Sequence, residues 1–423
     1  MPRSPVACQG FFLVFQTGTQ GPGSYFSPPG FCSAKSCALD IQQEYDLHGG
    51  GDLLAGLFKK MAMGLATTAV AATCIAGSGA SVSAQTDASD LPEVQLISDQ
   101  ETIAAGGTLS YHILYHNVQN KNQSNVYLKV QLPAGVEVET AGLSGAEWDA
   151  QNRQLIWHLQ GASANGAQVL HFNLKAQENL GDWLELSCQV EGDGSLKWET
   201  PKVKVKKGVQ IDQPFFIGYP DGLFHPENLI TRAEVAAVIA HIKKLEDVSP
   251  VDHPYSDVPS GHWANKVINK VSNAGYMGGY ADGSFHPDDP ISRAELVRLM
   301  LTLRGVKPIP LGGFDDTSDN WAKDAIGTAK SLGMIDGVGG GKFKPNGNTE
   351  RQAAAKLLNV GLFRGPLIDG EIAVQQHFPD VLPGHWSFGW IEEASVVAHE
   401  SLHKGRGREY LIRYLPEQTD PFE

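Results

Sequence analysis

A motif that returns along the second half of the chain constrains the fold most strongly. It consists of a Gly-Tyr-x-Asp-Gly-x-Phe-x-Pro stretch followed by Ile-Thr/Ser-Arg-Ala-Glu and an apolar helical pattern. Two close copies and a weaker third copy occupy residues 218–234, 279–295 and 340–353. Each copy is too small to bury its own apolar face, so neighbouring copies must pack on one another. The sequence therefore predicts an assembly of repeats.

Each copy has the local chemistry of a tight loop that leads into a capped helix. The Asp-Gly pair favours a turn, since glycine adopts positive φ without a clash and aspartate bonds to turn amides. Thr231 and Ser292 are predicted N-caps, because their hydroxyls can accept from free amides of the first turn. Glu234 and Glu295 then lie where the helix dipole favours negative charge. Each copy is thus expected to be one loop and one helix.

A second motif alternates with the first. Its copies begin with Tyr or Phe, contain aspartate and end in tryptophan, at residues 255–263, 314–321 and 378–386. A helical pattern follows, for example at 264–274 and 322–332. The aspartates that we expect to cap these helices are Asp257, Asp315 or Asp316, and Asp380.

Together the two motifs resemble the S-layer homology domain, the cell-wall-anchoring repeat of bacterial surface proteins. The resemblance extends from Phe215 to about Glu400 and implies an all-α, pseudo-threefold bundle of three loop–helix repeats. A family repeat opens with the aspartate–tryptophan half, whereas this chain starts with a closing half and ends with an opening half. We therefore predict that the terminal halves pair in space. The expected boundaries are 208–250 for the first closing half, 251–310 and 311–365 for the second and third repeats, 376–403 for the terminal half and 404–423 for a tail.

The resemblance also implies a ligand, which is an acidic secondary cell-wall polysaccharide, commonly one with a pyruvyl ketal on an amino sugar, bound in grooves between repeats. A guanidinium group holds a carboxylate by two parallel hydrogen bonds, and tryptophan offers a flat face to sugar C–H groups. Loop glycines let backbone amides approach a ligand. The candidate binding residues are Arg232, Arg293, Arg351, Trp263, Trp321, Trp386, Gly218, Gly279 and Gly340.

Structural roles are the alternative for most of these side chains. An arginine in a first helical turn often pairs only with a neighbouring carboxylate, and a tryptophan after Gly-His often anchors a core. The third copy departs from the pattern, because Ala353 replaces the glutamate and its loop lacks aspartate. We therefore expect unequal grooves, with those built around Arg232 and Arg293 the better candidates.

Residues 92–207 have the pattern of an all-β sandwich. Apolar and polar residues alternate in short stretches that glycine- and proline-rich turns separate. Segments between residues 115 and 136 also resemble the immunoglobulin-like repeat of bacterial surface proteins, which implies a spacer or adhesive module. Cys188 lies in an alternating pattern and is predicted to be buried and unreactive. The predicted strands are 94–97, 109–116, 126–131, 136–139, 154–159, 168–174, 183–190 and 203–205.

The first part of the chain has the pattern of export rather than of a folded domain. Residues 1–53 lack periodicity and are expected to be untranslated or disordered. In 54–84 a lysine pair precedes an apolar run and a Val-Ser-Ala end, which indicates a cleaved secretory signal with translation from near Leu54 or Met61. A retained membrane span is the alternative, but the run is shorter than the ~20 residues that cross a bilayer. Cleavage would leave Cys188 without a disulfide partner in the chain.

Charge and motif content narrow the class of function. The formal net charge of −14 opposes a nucleic-acid partner, which needs a basic surface. The pentapeptide His399-Glu400-Ser401-Leu402-His403 matches the H-E-x-x-H pattern of zinc peptidases, which requires a helix that presents both imidazoles on one face. Its surroundings offer a poor third ligand. We expect a secreted surface protein with no enzymatic activity, cofactor or metal; a zinc peptidase, and a lattice protein that contacts other S-layer or surface proteins, are the alternatives.

Overall fold

A computed structural model describes residues 92–192, 197–247 and 255–420, which form a β domain followed by a region of short helices and loops. Each stretch predicted as a strand coincides with at least one strand of the structure. The strands of the β domain are β1 Glu93–Ser98, β2 Thr102–Ile103, β3 Thr108–His116, β4 Gln123–Gln131, β5 Val136–Glu139, β6 Glu147–Asp149, β7 Gln154–Ala162, β8 Ala167–Ala176, β9 Trp183–Leu186, β10 Cys188–Glu191, β11 Lys197–Glu199 and β12 Val203–Lys207.

Three sheets surround one apolar core in this domain. Their strand orders are β1-β3-β8-β5, β11-β10-β4-β7-β6 and β2-β12-β9. Side chains that alternate along the strands meet in the core, where the rings of Tyr111 and Phe172 stack with centroids 5.2 Å apart and Trp157 is 1% exposed. The alternation of apolar and polar residues along the sequence therefore identifies correctly which face of the strands is buried.

The predicted strand 183–190 is in fact two strands. The break falls at Ser187, where the chain passes from the sheet of β12 to the sheet of β4. Leu186 lies opposite Val203, whereas Cys188 lies opposite Val130. The prediction that Cys188 is buried is confirmed, and burial raises the pKa of its thiol to about 12.

The helices of the second region follow the repeat motifs. Thr231 and Ser292 cap two of them as predicted, and Glu234 and Glu295 complete capping boxes in which each glutamate also accepts from the cap residue's amide. The third copy has Glu350 at the cap and no side-chain cap bond. The helices are α1 Arg232–Ile242, α2 Asn265–Asn273, α3 Arg293–Leu303, α4 Lys323–Ser331, α5 Arg351–Gly361 and α6 Phe388–Ala394.

The aspartates of the second motif join the two kinds of loop, so the prediction that they cap helices is wrong. Each carboxylate accepts hydrogen bonds from two successive amides of a Phe-x-Pro loop, where a residue at positive φ turns both amides to one side. Asp316, rather than Asp315, holds this position in its motif. The pairs are Asp257 with Phe285 and His286 (2.8 and 2.7 Å), Asp316 with Phe343 and Lys344 (2.8 and 2.8 Å), and Asp380 with Phe224 and His225 (3.0 and 2.7 Å).

The last of these pairs brings the ends of the repeat region together. Asp380 belongs to the final opening half, whereas Phe224 and His225 belong to the first closing half. The rings of Phe378 and Phe224 also pack with centroids 5.3 Å apart. The predicted pairing of the terminal halves is therefore confirmed.

A closed cycle of backbone hydrogen bonds joins the three closing halves. The Ile291 amide donates to Ile230 O (3.0 Å), the Ile230 amide donates to Thr349 O (3.1 Å), and the Thr349 amide donates to Ile291 O (3.0 Å). Ile230 and Ile291 are 0% and 1% exposed, so the cycle lies within the core. Each closing half is thus held by both of the others.

A small sheet follows the repeats, and the all-α prediction for this region is incomplete. The chain at 210–212, which the expected boundaries place at the start of the first closing half, pairs with residues 399–401 of the expected terminal half-repeat, and this strand pairs in turn with one in the tail. Beyond α6 that half-repeat continues into a strand, and part of the tail forms another. The strands are β13 Gln210–Asp212, β14 Leu367–Ile368, β15 His399–His403 and β16 Glu409–Tyr414, in the order β13-β15-β16-β14, and a short 3-10 helix spans Pro416–Gln418.

The β domain packs directly on the repeat region. Arg304 donates to Ser98 O (2.8 Å), and Gln95 exchanges two hydrogen bonds with the backbone of Lys307, both of 2.9 Å. Leu114 of β3 joins the apolar core of the helices. The two parts therefore share a polar and apolar interface.

The predicted signal segment 54–84 and the stretch 1–53 lie outside the described residues. Within the described ranges, no helix combines the length and the apolar character needed to cross a membrane. The prediction of a cleaved signal consequently remains a prediction.

Candidate functional site

Three grooves open between successive repeats, and each combines residues from different copies of the motifs. The first groove holds Arg351, Gly218, Tyr219, Glu234 and Trp263 in a cavity of about 730 Å³. The second holds Arg232, Gly279, Tyr280, Glu295 and Trp321 in about 700 Å³. The third holds Arg293, Gly337, Val338, Ala353 and Trp386 in about 390 Å³.

The three tryptophans lie at the groove walls with much of their side chains in solvent. Trp263, Trp321 and Trp386 are 63%, 65% and 52% exposed. The alternative of core anchoring is therefore wrong for these residues. Large exposed aromatic faces on an otherwise folded surface are typical of binding sites.

The residue before each tryptophan fixes the local backbone. The Ala264 amide donates to His262 Nδ1 (3.1 Å), and the Ala322 amide donates to Asn320 Oδ1 (2.9 Å). In the third motif the Ser387 amide donates to His385 Nδ1 (3.4 Å), and the Ser387 hydroxyl also lies 2.8 Å from this nitrogen. Asn320 thus replaces the histidine of the other two motifs without loss of this turn.

The arginines are wedged between backbone and aromatic rings. Arg232 donates from Nε to Phe285 O (2.8 Å) and from Nη2 to Gly278 O (2.7 Å), and Nη1 pairs with Glu295. Its guanidinium carbon lies 4.9 Å from the Tyr280 ring centroid. Most of the guanidinium is therefore occupied by the protein itself.

Arg351 and Arg293 differ from Arg232 in charge pairing. Arg351 donates to Phe224 O and Ile217 O, both at 3.0 Å, and Arg293 donates to Phe343 O at 2.9 Å. Neither forms an ion pair with a carboxylate among the described residues. Burial lowers the pKa of both guanidinium groups below the ordinary 12.5, and each retains its charge at neutral pH.

Residues that belong to one copy of the motif in the sequence line different grooves in the structure. Arg351 comes from the divergent third copy, yet it lines the first groove, which has the intact Tyr219 and Glu234. Arg293 comes from an intact copy, yet it lines the third groove with Val338 and Ala353. The expectation that Arg293 belongs to one of the two better-preserved grooves is therefore wrong.

The loop glycines have a packing role. A Cβ at Gly218 or Gly279 would collide with the Phe378 or Tyr255 ring and with a backbone carbonyl of the loop. Gly337 has the same surroundings, with Phe314 and Lys342 O, whereas nothing lies within 4 Å of a Cβ at Gly340. Gly337, rather than Gly340, is thus the structural equivalent in the third copy.

Tyr219 and Tyr280 are groove residues that the sequence reasoning missed. The Arg351 guanidinium carbon lies 4.6 Å from the Tyr219 ring centroid, and the Tyr280 hydroxyl donates to Glu295 Oε1 (2.9 Å). Burial, with Glu295 nearby, raises the pKa of Tyr280. Both tyrosines occupy the same position of the repeated loop motif, and this recurrence could have identified them from the sequence. Val338 occupies that position in the third copy.

Two lysines also line the first groove. Lys270 pairs with Asp247 (2.8 Å), and Lys244 pairs with Asp420 (2.7 Å). Because the Lys244 and Asp420 side chains are 74% and 36% exposed, solvent weakens that pair. The groove can therefore present additional positive charge to an anionic ligand.

The H-E-x-x-H pentapeptide forms strand β15, so its predicted helical geometry is wrong. His399, Ser401 and His403 face the interior, whereas Glu400 faces outward and pairs with Arg413 (2.7 Å). A strand sends neighbouring side chains to opposite faces. The glutamate is therefore on the wrong side of the strand to act as a general base beside the two histidines.

Comparison with known proteins identifies the repeat region. The family model of the S-layer homology domain matches residues 215–236, 254–297 and 313–355. Cell surface glycoprotein 1 of Acetivibrio thermocellus is 37% identical over 193 residues, which are 42% of this chain and 8% of that relative. The cellulosome-anchoring protein of the same organism is 33% identical over 211 residues, or 48% and 46% of the two chains. An S-layer protein of Bacillus licheniformis is 27% identical over 185 residues, or 43% and 20%. The matches thus span less than half of each relative's length.

Proposed function

Because this chain carries S-layer homology repeats between residues 215 and 355, we propose that it is a non-enzymatic protein of the bacterial cell surface that binds a secondary cell-wall polysaccharide through the grooves between its repeats. The names of its relatives, which include a cell surface glycoprotein and a cellulosome-anchoring protein, support a surface location. The repeats would hold the chain on the wall without a covalent bond.

The observation that carries this proposal is an exposed tryptophan face beside an arginine in each groove. A sugar ring can lie on the indole through its C–H groups, and the indole N–H can donate to a hydroxyl. A carboxylate on the sugar, such as that of a pyruvyl ketal, can bind a guanidinium through charge-assisted hydrogen bonds. The groove volumes of about 390 to 730 Å³ suit a short oligosaccharide segment.

The first groove is the strongest candidate of the three. In the second groove Glu295 pairs with Arg232 and would compete with a ligand carboxylate. The third groove is smaller and has Val338 where the first has Tyr219. The first groove combines an arginine without a paired carboxylate, a tyrosine and an exposed tryptophan, so we assign it the highest affinity for an acidic glycan.

We further propose that the three loop–helix units form a pseudo-threefold bundle and that the β domain is an immunoglobulin-like sandwich that acts as a spacer or adhesive module. The equivalent aspartate bonds and the cycle of backbone hydrogen bonds through Ile230 support the first part. The shared core of the three sheets supports the second. The direct contacts through Arg304 would give the β domain a defined orientation on the wall anchor.

A sedimentation assay with purified cell-wall sacculi tests the ligand class. The full chain is mixed with untreated sacculi and with sacculi whose ketal-linked pyruvate has been removed by mild acid. We expect it to sediment with the first and to stay in solution with the second. Equal sedimentation with both would mean that a ketal carboxylate is not recognised, and no sedimentation with either would contradict wall binding.

A further inference from the structure

Four buried side chains of types that can ligate a metal converge at the small sheet β13-β15-β16-β14, and none of them lines one of the three grooves. They are Asp212 of β13, Glu393 of α6, His399 of β15 and Glu409 of β16. One potential ligand atom from each lies within 4.8 Å of all the others. All four side chains are at most 2% exposed. The fold thus collects them from four separate segments.

Two carboxylate oxygens in this cluster have no hydrogen bond, although both are buried. They are Asp212 Oδ2 and Glu393 Oε1. The nearest described cation to the latter is Arg364, whose Nη1 lies at 3.5 Å. A buried carboxylate oxygen without a donor is costly, so these two atoms indicate a cation or a proton that completes the site.

Neighbouring groups hold the other carboxylate oxygens of Asp212 and Glu409 in place, as the residues around metal ligands usually do. Asp212 Oδ1 accepts from Gln210 Nε2 (2.7 Å) and forms an ion pair with Arg364 Nε (2.9 Å), which leaves Oδ2 for another partner. Glu409 is fixed by the Ser401 hydroxyl (2.8 Å) and by the Gly365 amide (2.6 Å). Such outer contacts orient first-shell carboxylates.

His399 has the arrangement expected of an imidazole ligand. Its Nδ1 lies 3.2 Å from Val397 O, so a proton on Nδ1 can be donated to that carbonyl. Nε2 forms a hydrogen bond of 2.7 Å with Glu393 Oε2, and the proton between these two atoms is the one that a bound ion would displace. Donation from the other ring nitrogen to a backbone carbonyl is a common way to fix the tautomer of a metal-bound histidine.

Charge balance permits a divalent ion. With all three carboxylates ionised, Asp212, Glu393 and Glu409 would carry three negative charges against one positive charge on Arg364. A divalent ion would neutralise the other two with His399 as a neutral ligand. Without a metal, that charge would be balanced by protons on the carboxyls of Asp212 and Glu393, whose pKa values burial raises, or on His399 and on His403, which lies 3.1 Å from Glu409.

We propose that Asp212, Glu393, His399 and Glu409 bind one divalent transition-metal ion, zinc or manganese, as a structural site. Carboxylate and imidazole ligands suit these ions. Ligand atoms of a tetrahedral zinc site lie about 3.4 Å apart, so these four atoms, which lie within 4.8 Å of one another, would have to draw together by about 1 Å on binding. The ion would fasten the terminal half-repeat, through α6 and β15, to the strand β13 that precedes the first closing half.

Metal analysis of the full chain tests this proposal. The chain is purified without chelator from medium that contains zinc and manganese, and its metal content is measured by inductively coupled plasma mass spectrometry. We expect about one ion per chain. Removal with EDTA should lower the melting temperature by about 4 °C or more, and ZnCl₂ or MnCl₂ should restore it.

Two variants on neighbouring elements separate binding from general stability. Glu393→Gln keeps the side-chain volume but removes a ligand charge, and it should lose the bound ion. Glu400→Gln lies on β15 but faces outward, and it should keep a full equivalent. Less than a tenth of an equivalent in the wild-type chain, with no shift on addition of either metal, would overturn the proposal and leave protonated histidines to balance the cluster. Equal metal content in both variants would also overturn it.

Discussion

The carboxylate of Asp380 accepts a hydrogen bond of 2.7 Å from the amide of His225, although 155 residues separate the two along the chain. With the bond from the Phe224 amide (3.0 Å), it joins the last opening half to the first closing half. The carboxylate of Asp257 accepts the equivalent two bonds from the amides of Phe285 and His286, which are only 28 and 29 residues away along the chain. The permuted order of the halves therefore leaves the local pairing unchanged.

Loss of this long-range contact should destabilise the repeat region. Asp380→Ala removes two charge-assisted hydrogen bonds, and we expect the free energy of unfolding to fall by about 2 kcal/mol. Urea denaturation followed by circular dichroism measures the change. Asp319→Ala is the control, since Asp319 is exposed in the equivalent loop region, and it should change the stability little. If both variants unfolded at the same urea concentration, Asp380 would have no role in closure.

Aromatic residues of the repeat region should divide sharply into core and groove residues. Phe285 is fully buried beside Arg232, and Phe285→Ala should cost about 3–5 kcal/mol of stability. Trp321 is 65% exposed, so Trp321→Ala should cost less than about 1 kcal/mol. Thermal unfolding of the two variants tests this contrast. A large loss for Trp321→Ala would restore the core-anchor interpretation of the tryptophans.

The contact between the β domain and the repeats should weaken in acid through Asp99. Burial alone raises the pKa of this carboxyl, but His112, Arg406 and Arg304 outweigh that effect and hold it below the ordinary 3.8. The nearest atoms are His112 Nε2 (3.1 Å), Arg406 Nε (3.5 Å) and Arg304 Nη2 (3.7 Å), and His171 contacts the other nitrogen of His112.

The sign of the pH effect follows from the lowered pKa. The stability that ionised Asp99 contributes is fully present above its ordinary pKa of 3.8 and is lost as the pH falls through the lower folded value. The difference in unfolding free energy between the wild type and Asp99→Asn should therefore be large at pH 7 and shrink below about pH 4. Chemical denaturation of both proteins across this range measures it. A difference that is constant with pH would show that the charge of Asp99 contributes nothing.

Cys188 should be inert in the folded protein. Its side chain is fully buried between the sheets, and burial raises the pKa of the thiol to about 12, so almost no thiolate exists at pH 8. Mass spectrometry after treatment with iodoacetamide should show modification of Cys188 in urea but not in buffer. Rapid modification in buffer would indicate that the β domain opens readily.

Local chemistry made much of the fold predictable. Thr231 and Ser292 form capping boxes with Glu234 and Glu295, and the two residues of each box lie only three positions apart in the sequence. The strands of the β domain follow from the alternation of apolar residues, and only β2, β6 and β11, of two or three residues, are too short to show it. Such features depend on neighbours within one turn or one strand.

The composition of the grooves was less accessible because it depends on which repeats become neighbours. Sequence order places Arg351 beside Ala353, but the cyclic packing places its guanidinium against Tyr219 of the first copy. The strand at His399–His403 was missed for a related reason. An H-E-x-x-H pattern does not reveal that residues 210–212 supply a partner strand almost two hundred positions earlier.

The most direct test of polysaccharide binding compares two tryptophans of similar exposure. Trp263 lies in the first groove and is 63% exposed, whereas Trp183 lies in the β domain and is 55% exposed. Binding of the full-length Trp263→Ala and Trp183→Ala variants to untreated sacculi is measured as an apparent Kd. We predict that Trp263→Ala weakens binding by about tenfold or more, equivalent to about 1.4 kcal/mol, and that Trp183→Ala binds like the wild type. Equal Kd values for both variants and the wild type would contradict a role for the first groove.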